Sequence, residues 1–78
     1  SELEALQRAL DKEDLKEMER VAHKLKGTAY MLNHSGLLEQ CIEVEELCAD
    51  GMMSINTLEA VTTLMQSLEA INQALRPS

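Results

Sequence analysis

The sequence predicts an all-α protein, an antiparallel up-down four-helix bundle. Three observations lead there. Apolar residues recur at steps of three and four along almost the whole chain, the spacing of helices that bury one face. Polar breaks near Asp11–Asp14, Asn33–Gly36 and Asp50–Gly51 cut that pattern into four segments. Helices joined by such short connections pack against each other in opposite directions. No stretch shows the strict alternation of a half-buried strand, and the sequence contains no repeat or low-complexity segment.

The first helix is expected over about 2–11, with Leu3, Leu6 and Leu10 on one side. Because the chain opens inside a helix, it reads as a piece of a longer chain whose single domain spans 1–78. The second helix, about 14–33, has Asp14 as N-cap and Glu17 three residues on as a capping-box partner. Its seam is Leu15, Met18, Ala22, Leu25, Ala29 and Leu32. The third, about 35–50, starts at a Ser35 cap and carries Leu37, Cys41, Val44 and Cys48, widened by Leu38 and Ile42. Gly51 is placed to take the left-handed conformation that closes a helix. The fourth, about 56–75, opens on Asn56 and Glu59 as a capping box. It runs through Val61, Leu64, Leu68, Ile71 and Leu75 until Pro77 ends the pattern.

Composition excludes several classes of function. At 78 residues the chain is one domain, and with 45% hydrophobic residues it is too apolar for a disordered segment. No apolar run approaches the roughly 20 residues that span a bilayer, and the start lacks the layout of a secretory signal. No direct membrane contact is therefore expected. A net charge of −7 argues against nucleic acid, whose phosphates call for a basic surface. Cys41 and Cys48 lie two turns apart on one helix, about 10.5 Å by the rise per residue and beyond the ~7 Å limit for a disulfide. Free thiols on an apolar stripe fit a reducing, cytoplasmic setting.

The second helix departs from the acidic background. Between Glu19 and Glu39 there is no acid, while Arg20, Lys24 and Lys26 give that window +3. Such a patch can steer an acidic partner, although a solvated helix face would read the same. Lys16, Arg20, His23, Gly27 and Tyr30 step along the side opposite the Leu25/Ala29 seam, so His23 is expected to be exposed. A glycine inside a helix costs about 1 kcal/mol relative to Ala. Beside an exposed histidine, its missing side chain lets another backbone approach closely. A neutral imidazole can act as a nucleophile near neutral pH, and a neighbouring cation can hold negative charge placed on it.

These residues carry a resemblance. The stretch Ala22-His23-Lys24-Leu25-Lys26-Gly27-Thr28-Ala29 resembles the AHxLKG signature of histidine phosphotransfer (HPt) domains. Leu37, Cys41, Val44 and Glu45 are similar to the family's pattern on the following helix, and Leu6, Leu10, Asp14 and Leu15 to its approach to the histidine. The likeness runs from Leu3 to Gly51; the last helix matches only in length and periodicity. It implies a four-helix bundle whose exposed histidine carries a phosphoryl group between receiver-domain aspartates, as in the C-terminal modules of tripartite hybrid sensor kinases. His23 would be the phosphoacceptor, Lys26 would help hold the phosphoryl group, and Gly27 would leave room for the receiver. Glu45 would hydrogen-bond the other ring nitrogen and fix the tautomer. Arg20, Lys24 and Tyr30 would lie in the docking face. The partners implied are receiver domains of a sensor kinase and a response regulator. No cofactor of its own is implied, and the Mg²⁺ would sit on the receiver. A monomer is expected, with dimerisation through the first helix left open. Two departures stand out: Asn33 replaces a frequent glycine ten residues after the histidine, and Tyr30 occupies a position that is commonly small.

Two other classes of function compete. A carboxylate-bridged metal bundle uses Glu-x-x-His on paired helices, but Arg20 precedes His23 by three and Met31 precedes His34 by three. His34, at a turn, reads as solvated or as a local cap. A non-catalytic module docking a partner through the basic face needs none of His23, Lys26 and Gly27 together. Kinase activity is not expected, since Gly27, Gly36 and Gly51 are scattered and form no phosphate loop.

Overall fold

The first N–H groups of a helix lack partners within it. In the computed structural model, which describes residues 1–77, a side chain supplies one at every helix start. The four helices are α1 (Glu2–Asp11), α2 (Leu15–Met31), α3 (Ser35–Ala49) and α4 (Ile55–Ala74). Ser1 Oγ accepts from Glu4 N–H at 3.3 Å and Asp14 Oδ1 from Glu17 N–H at 3.1 Å. The expected return bond from Glu17 is not made, because its carboxylate is taken up by Arg20.

Two caps differ from expectation. Ser35 does not cap α3; His34 does, its Nδ1 accepting from Leu37 N–H at 3.0 Å. A Cβ on Gly36 would come within 3.3 Å of His34 Cε1, so that glycine clears space for the ring. Asn56 does not cap α4 either. Ser54 accepts from Thr57 N–H at 3.1 Å, and its hydroxyl also meets the Thr57 hydroxyl at 2.9 Å, satisfying a buried side chain.

Each connection holds one left-handed residue: Glu13 (φ 52°), Asn33 (φ 52°) and Gly51 (φ 76°). After α1 and α2 the chain closes in a Schellman turn, with Asp14 N–H donating to Ala9 O at 2.8 Å and His34 N–H to Ala29 O at 2.9 Å. Asn33 thus takes the left-handed conformation, which asparagine tolerates better than most residues. Connections over 12–14, 32–34 and 50–54 are long enough only to reverse the chain. α1 and α3 each pack against both α2 and α4, closing the bundle.

The core is Leu6, Met18, Ala22, Leu25, Leu37, Cys41, Val44, Val61 and Leu64, with further small side chains between them. Val21, Thr57 and Ala60 are buried although they lie off the expected seams, and Leu32 and Leu75, on those seams, are exposed. α2 faces α1 on one side and α3 on the other, so its buried stripe is wider than a single file. Leu32 and Leu75 fall at helix ends, where no facing turn remains to cover them. Both thiols are free and buried, and burial pushes Cys41 up to about 11. Leu64 is fully buried at the middle of α4. Leu64→Ala is expected to cost about 2–5 kcal/mol, a large part of the 5–15 typical of a domain. Urea unfolding monitored by circular dichroism measures it.

Candidate functional site

α2 and α3 run antiparallel side by side, which brings His23 opposite Glu45. His23 faces solvent, its side chain 73% exposed, while Glu45 is only 19% exposed. His23 Nδ1 lies 3.0 Å from Glu45 Oε2. The other carboxylate oxygen, Oε1, lies 2.8 Å from Lys26 Nζ. One carboxylate from α3 therefore ties together two side chains spaced one turn apart on α2.

Electrostatics decides the direction of the His23–Glu45 bond. Burial pushes the Glu45 carboxyl up, but hydrogen bonds from Lys26 and His23, with their charges, outweigh it and the net shift is downward. Lys26 moves the other way, held above the usual lysine range chiefly by its bond to Glu45. An ionised carboxylate can only accept, so Nδ1–H is the donor. In the neutral ring Nε2 then bears the lone pair, on an imidazole open to solvent. A group whose carboxyl is depressed in the fold contributes stability above its unfolded pKa and loses it as pH falls. Wild type should therefore lose more stability than Glu45→Gln between neutral pH and about pH 3. Urea unfolding of both at several pH values gives the comparison.

Gly27 follows Lys26 in the same exposed turn. A Cβ added there would meet nothing within 4 Å, so no packing inside the chain requires glycine at this position. Tyr30, one turn further, is 70% exposed, and its ring is therefore not folded onto the bundle. Ile42, three residues before Glu45 on α3, is also exposed.

The basic patch expected on α2 is largely neutralised. Arg20 is gripped by Glu17 through two bonds of 2.6 and 2.9 Å. Lys24 reaches across to Glu2 of α1 at 2.8 Å, and Lys26 is taken by Glu45. A count along the sequence could not find these partners: Glu17 precedes the acid-free window, and Glu2 and Glu45 come from other helices. Of the residues singled out in the sequence, His23, Lys26 and Glu45 meet in one network, with Gly27 beside it. Arg20, Lys24 and Tyr30 surround it on the same helix without contacting it through hydrogen bonds.

The site is an open face rather than a pocket. A cavity of about 300 Å³, lined by Leu3, Leu25, Met31, Ile71 and Leu75 among others, lies where the ends of α1, α2 and α4 converge, and includes neither His23 nor Glu45. Among the described residues no three His, Cys, Asp or Glu are grouped to hold a metal ion. No helix there is long and apolar enough to cross a membrane. Such a face suits chemistry completed by a second protein.

Comparison with curated proteins and with solved structures gave no match. The family model described as Hpt domain matches residues 1–77. That match covers all four helices and the exposed histidine network. The chain belongs to the Hpt domain family, whose members are phosphocarriers in phosphorelay signalling.

Proposed function

We propose that His23 accepts a phosphoryl group from the aspartyl phosphate of one receiver domain and passes it to the aspartate of another. Nε2 attacks phosphorus in line, the bond to the acyl oxygen breaks, and the receiver's carboxylate departs with the electron pair. The reverse sequence delivers the group onward. The observation that carries this reading is the Glu45 bond to Nδ1 of a largely exposed imidazole. It directs the lone pair outward and places a negative charge beside the ring as positive charge develops there.

Lys26 supplies positive charge near the incoming phosphoryl oxygens, and Gly27 leaves the helix surface bare for the receiver's approach. Arg20, Lys24 and Tyr30 form the rim of the docking face. The Mg²⁺ that supports the aspartyl chemistry belongs to the receiver, and this chain contributes positioning and charge without a cofactor. On the resemblance of the His23 segment, the donor is the receiver of a tripartite hybrid sensor kinase and the acceptor that of a response regulator, with the relay in the cytoplasm.

The test is transfer from a phosphorylated receiver carrying a radiolabel, in the presence of Mg²⁺. Label that moves to this chain, is lost in acid and survives alkali identifies phosphohistidine. Failure of transfer from a panel of receivers that do phosphorylate other Hpt domains would count against the reading.

A further inference from the structure

Two histidines are exposed, His23 on α2 and His34 in the connection to α3. Burial therefore does not choose between them as phosphoacceptors; hydrogen bonding does. Resting on the phosphocarrier reading above, we propose that the cap of α3 keeps His34 chemically silent. It locks the ring in the tautomer whose lone pair is already in use, so that phosphoryl groups enter this chain at His23 alone.

The same ring atom plays opposite parts in the two residues. Nδ1 of His23 donates to a carboxylate, which leaves Nε2 bare. Nδ1 of His34 accepts from Leu37 N–H at 3.0 Å. A backbone N–H can only donate, so this nitrogen holds the lone pair and the proton of the neutral ring sits on Nε2. An N–H cannot attack phosphorus, and the nitrogen that could attack is occupied at the first turn of α3. Protonation offers no escape, since an imidazolium has no lone pair to give.

Freeing the ring carries a cost. Moving the proton to Nδ1 would set two N–H groups against each other and strip the acceptor from Leu37, the residue that anchors the start of α3 in the core. Losing a cap of this kind corresponds to roughly tenfold in the population of the reactive tautomer. Nor can the ring drift away with its backbone. His34 N–H donates to Ala29 O at 2.9 Å, and its carbonyl accepts from Leu38 N–H at 3.1 Å. Gly36 completes the arrangement. A Cβ there would stand 3.3 Å from His34 Cε1 and 3.6 Å from Nδ1, so its absence lets the ring close on Leu37 N–H.

The experiment uses His23→Gln, in which His34 is the remaining histidine, and phosphoramidate, a small phosphoryl donor that needs no receiver. A ring nitrogen attacks phosphorus, the P–N bond breaks, and ammonia leaves with the electron pair. Phosphorus NMR follows phosphohistidine in mildly alkaline solution, with N-acetylhistidine run alongside to set the intrinsic rate in each solvent. The folded variant is expected to react roughly tenfold slower than the same chain unfolded in urea, whereas folded wild type reacts readily. Nitrogen-15 correlations to the ring protons should show His34 protonated on Nε2. Equal corrected rates for the folded and unfolded variant, or a His34 proton on Nδ1, would overturn the silencing while leaving the phosphocarrier reading standing. Wild type left unmodified while N-acetylhistidine reacts would overturn that reading and the selection built on it.

Discussion

A chain carrying His23→Gln is expected to accept no phosphoryl group from a phosphorylated receiver and to fold as the parent does. The two outcomes separate cleanly because the side chain is largely exposed and lies outside the core. Substitutions at such positions usually change stability by no more than about 0.5 kcal/mol. Glutamine can still donate a hydrogen bond toward Glu45, but its amide offers no nucleophilic lone pair. Transfer should therefore fall to background while the unfolding midpoint stays within error. Labelled transfer and urea unfolding on the same preparation measure both. If the variant still carried label, the phosphoacceptor would lie elsewhere. If it lost label yet supported the partner's output, the chain would act as a docking module.

Gly27→Ala is expected to move stability and function in opposite directions. Alanine is favoured over glycine inside a helix by roughly 0.5–1 kcal/mol, and the added methyl meets no atom of this chain. The fold should gain about that much. The same methyl stands on the surface proposed for receiver docking, one turn from His23. Holding two reacting atoms about 1 Å too far apart can cost up to a hundredfold in rate, so transfer should slow by roughly tenfold to a hundredfold. Single-turnover transfer at saturating receiver, set beside urea unfolding, decides the matter. A more stable variant with unchanged transfer would mean that the receiver does not approach across Gly27.

Much of this molecule is legible in its sequence, and the failures have physical causes. Helical periodicity located all four helices because burial of one face is recorded every three or four residues. Side-chain preference points to Ser35 as the cap of α3, whereas His34 takes it because an imidazole nitrogen can accept a bond and Gly36 leaves room for the ring. At α4 the Asn56–Glu59 capping box does not form; Ser54 caps the helix instead, and its hydroxyl also satisfies the buried Thr57 side chain. Val21 is buried off the seam because a single-file seam assumes one neighbour, and α2 has two. The meeting of His23 with Glu45 came from the family resemblance, not from spacing. The second use of Glu45, as the partner of Lys26, is visible only once α2 and α3 are placed side by side.

The three ion pairs along α2 bear on how quickly a partner finds this surface. Arg20, Lys24 and Lys26 each have an acid within 4.0 Å, so their fields largely cancel within a few ångströms. Beyond a Debye length of about 10 Å at 0.1 M salt, little attraction remains to draw in a distant receiver. Capture at this face then depends on fit at contact rather than on guidance from afar. Added salt, which slows electrostatically steered encounters steeply, should therefore weaken little attraction through these three cations. Discrimination between rival receivers is consequently exercised after first touch, in how long a misfitted pair stays together.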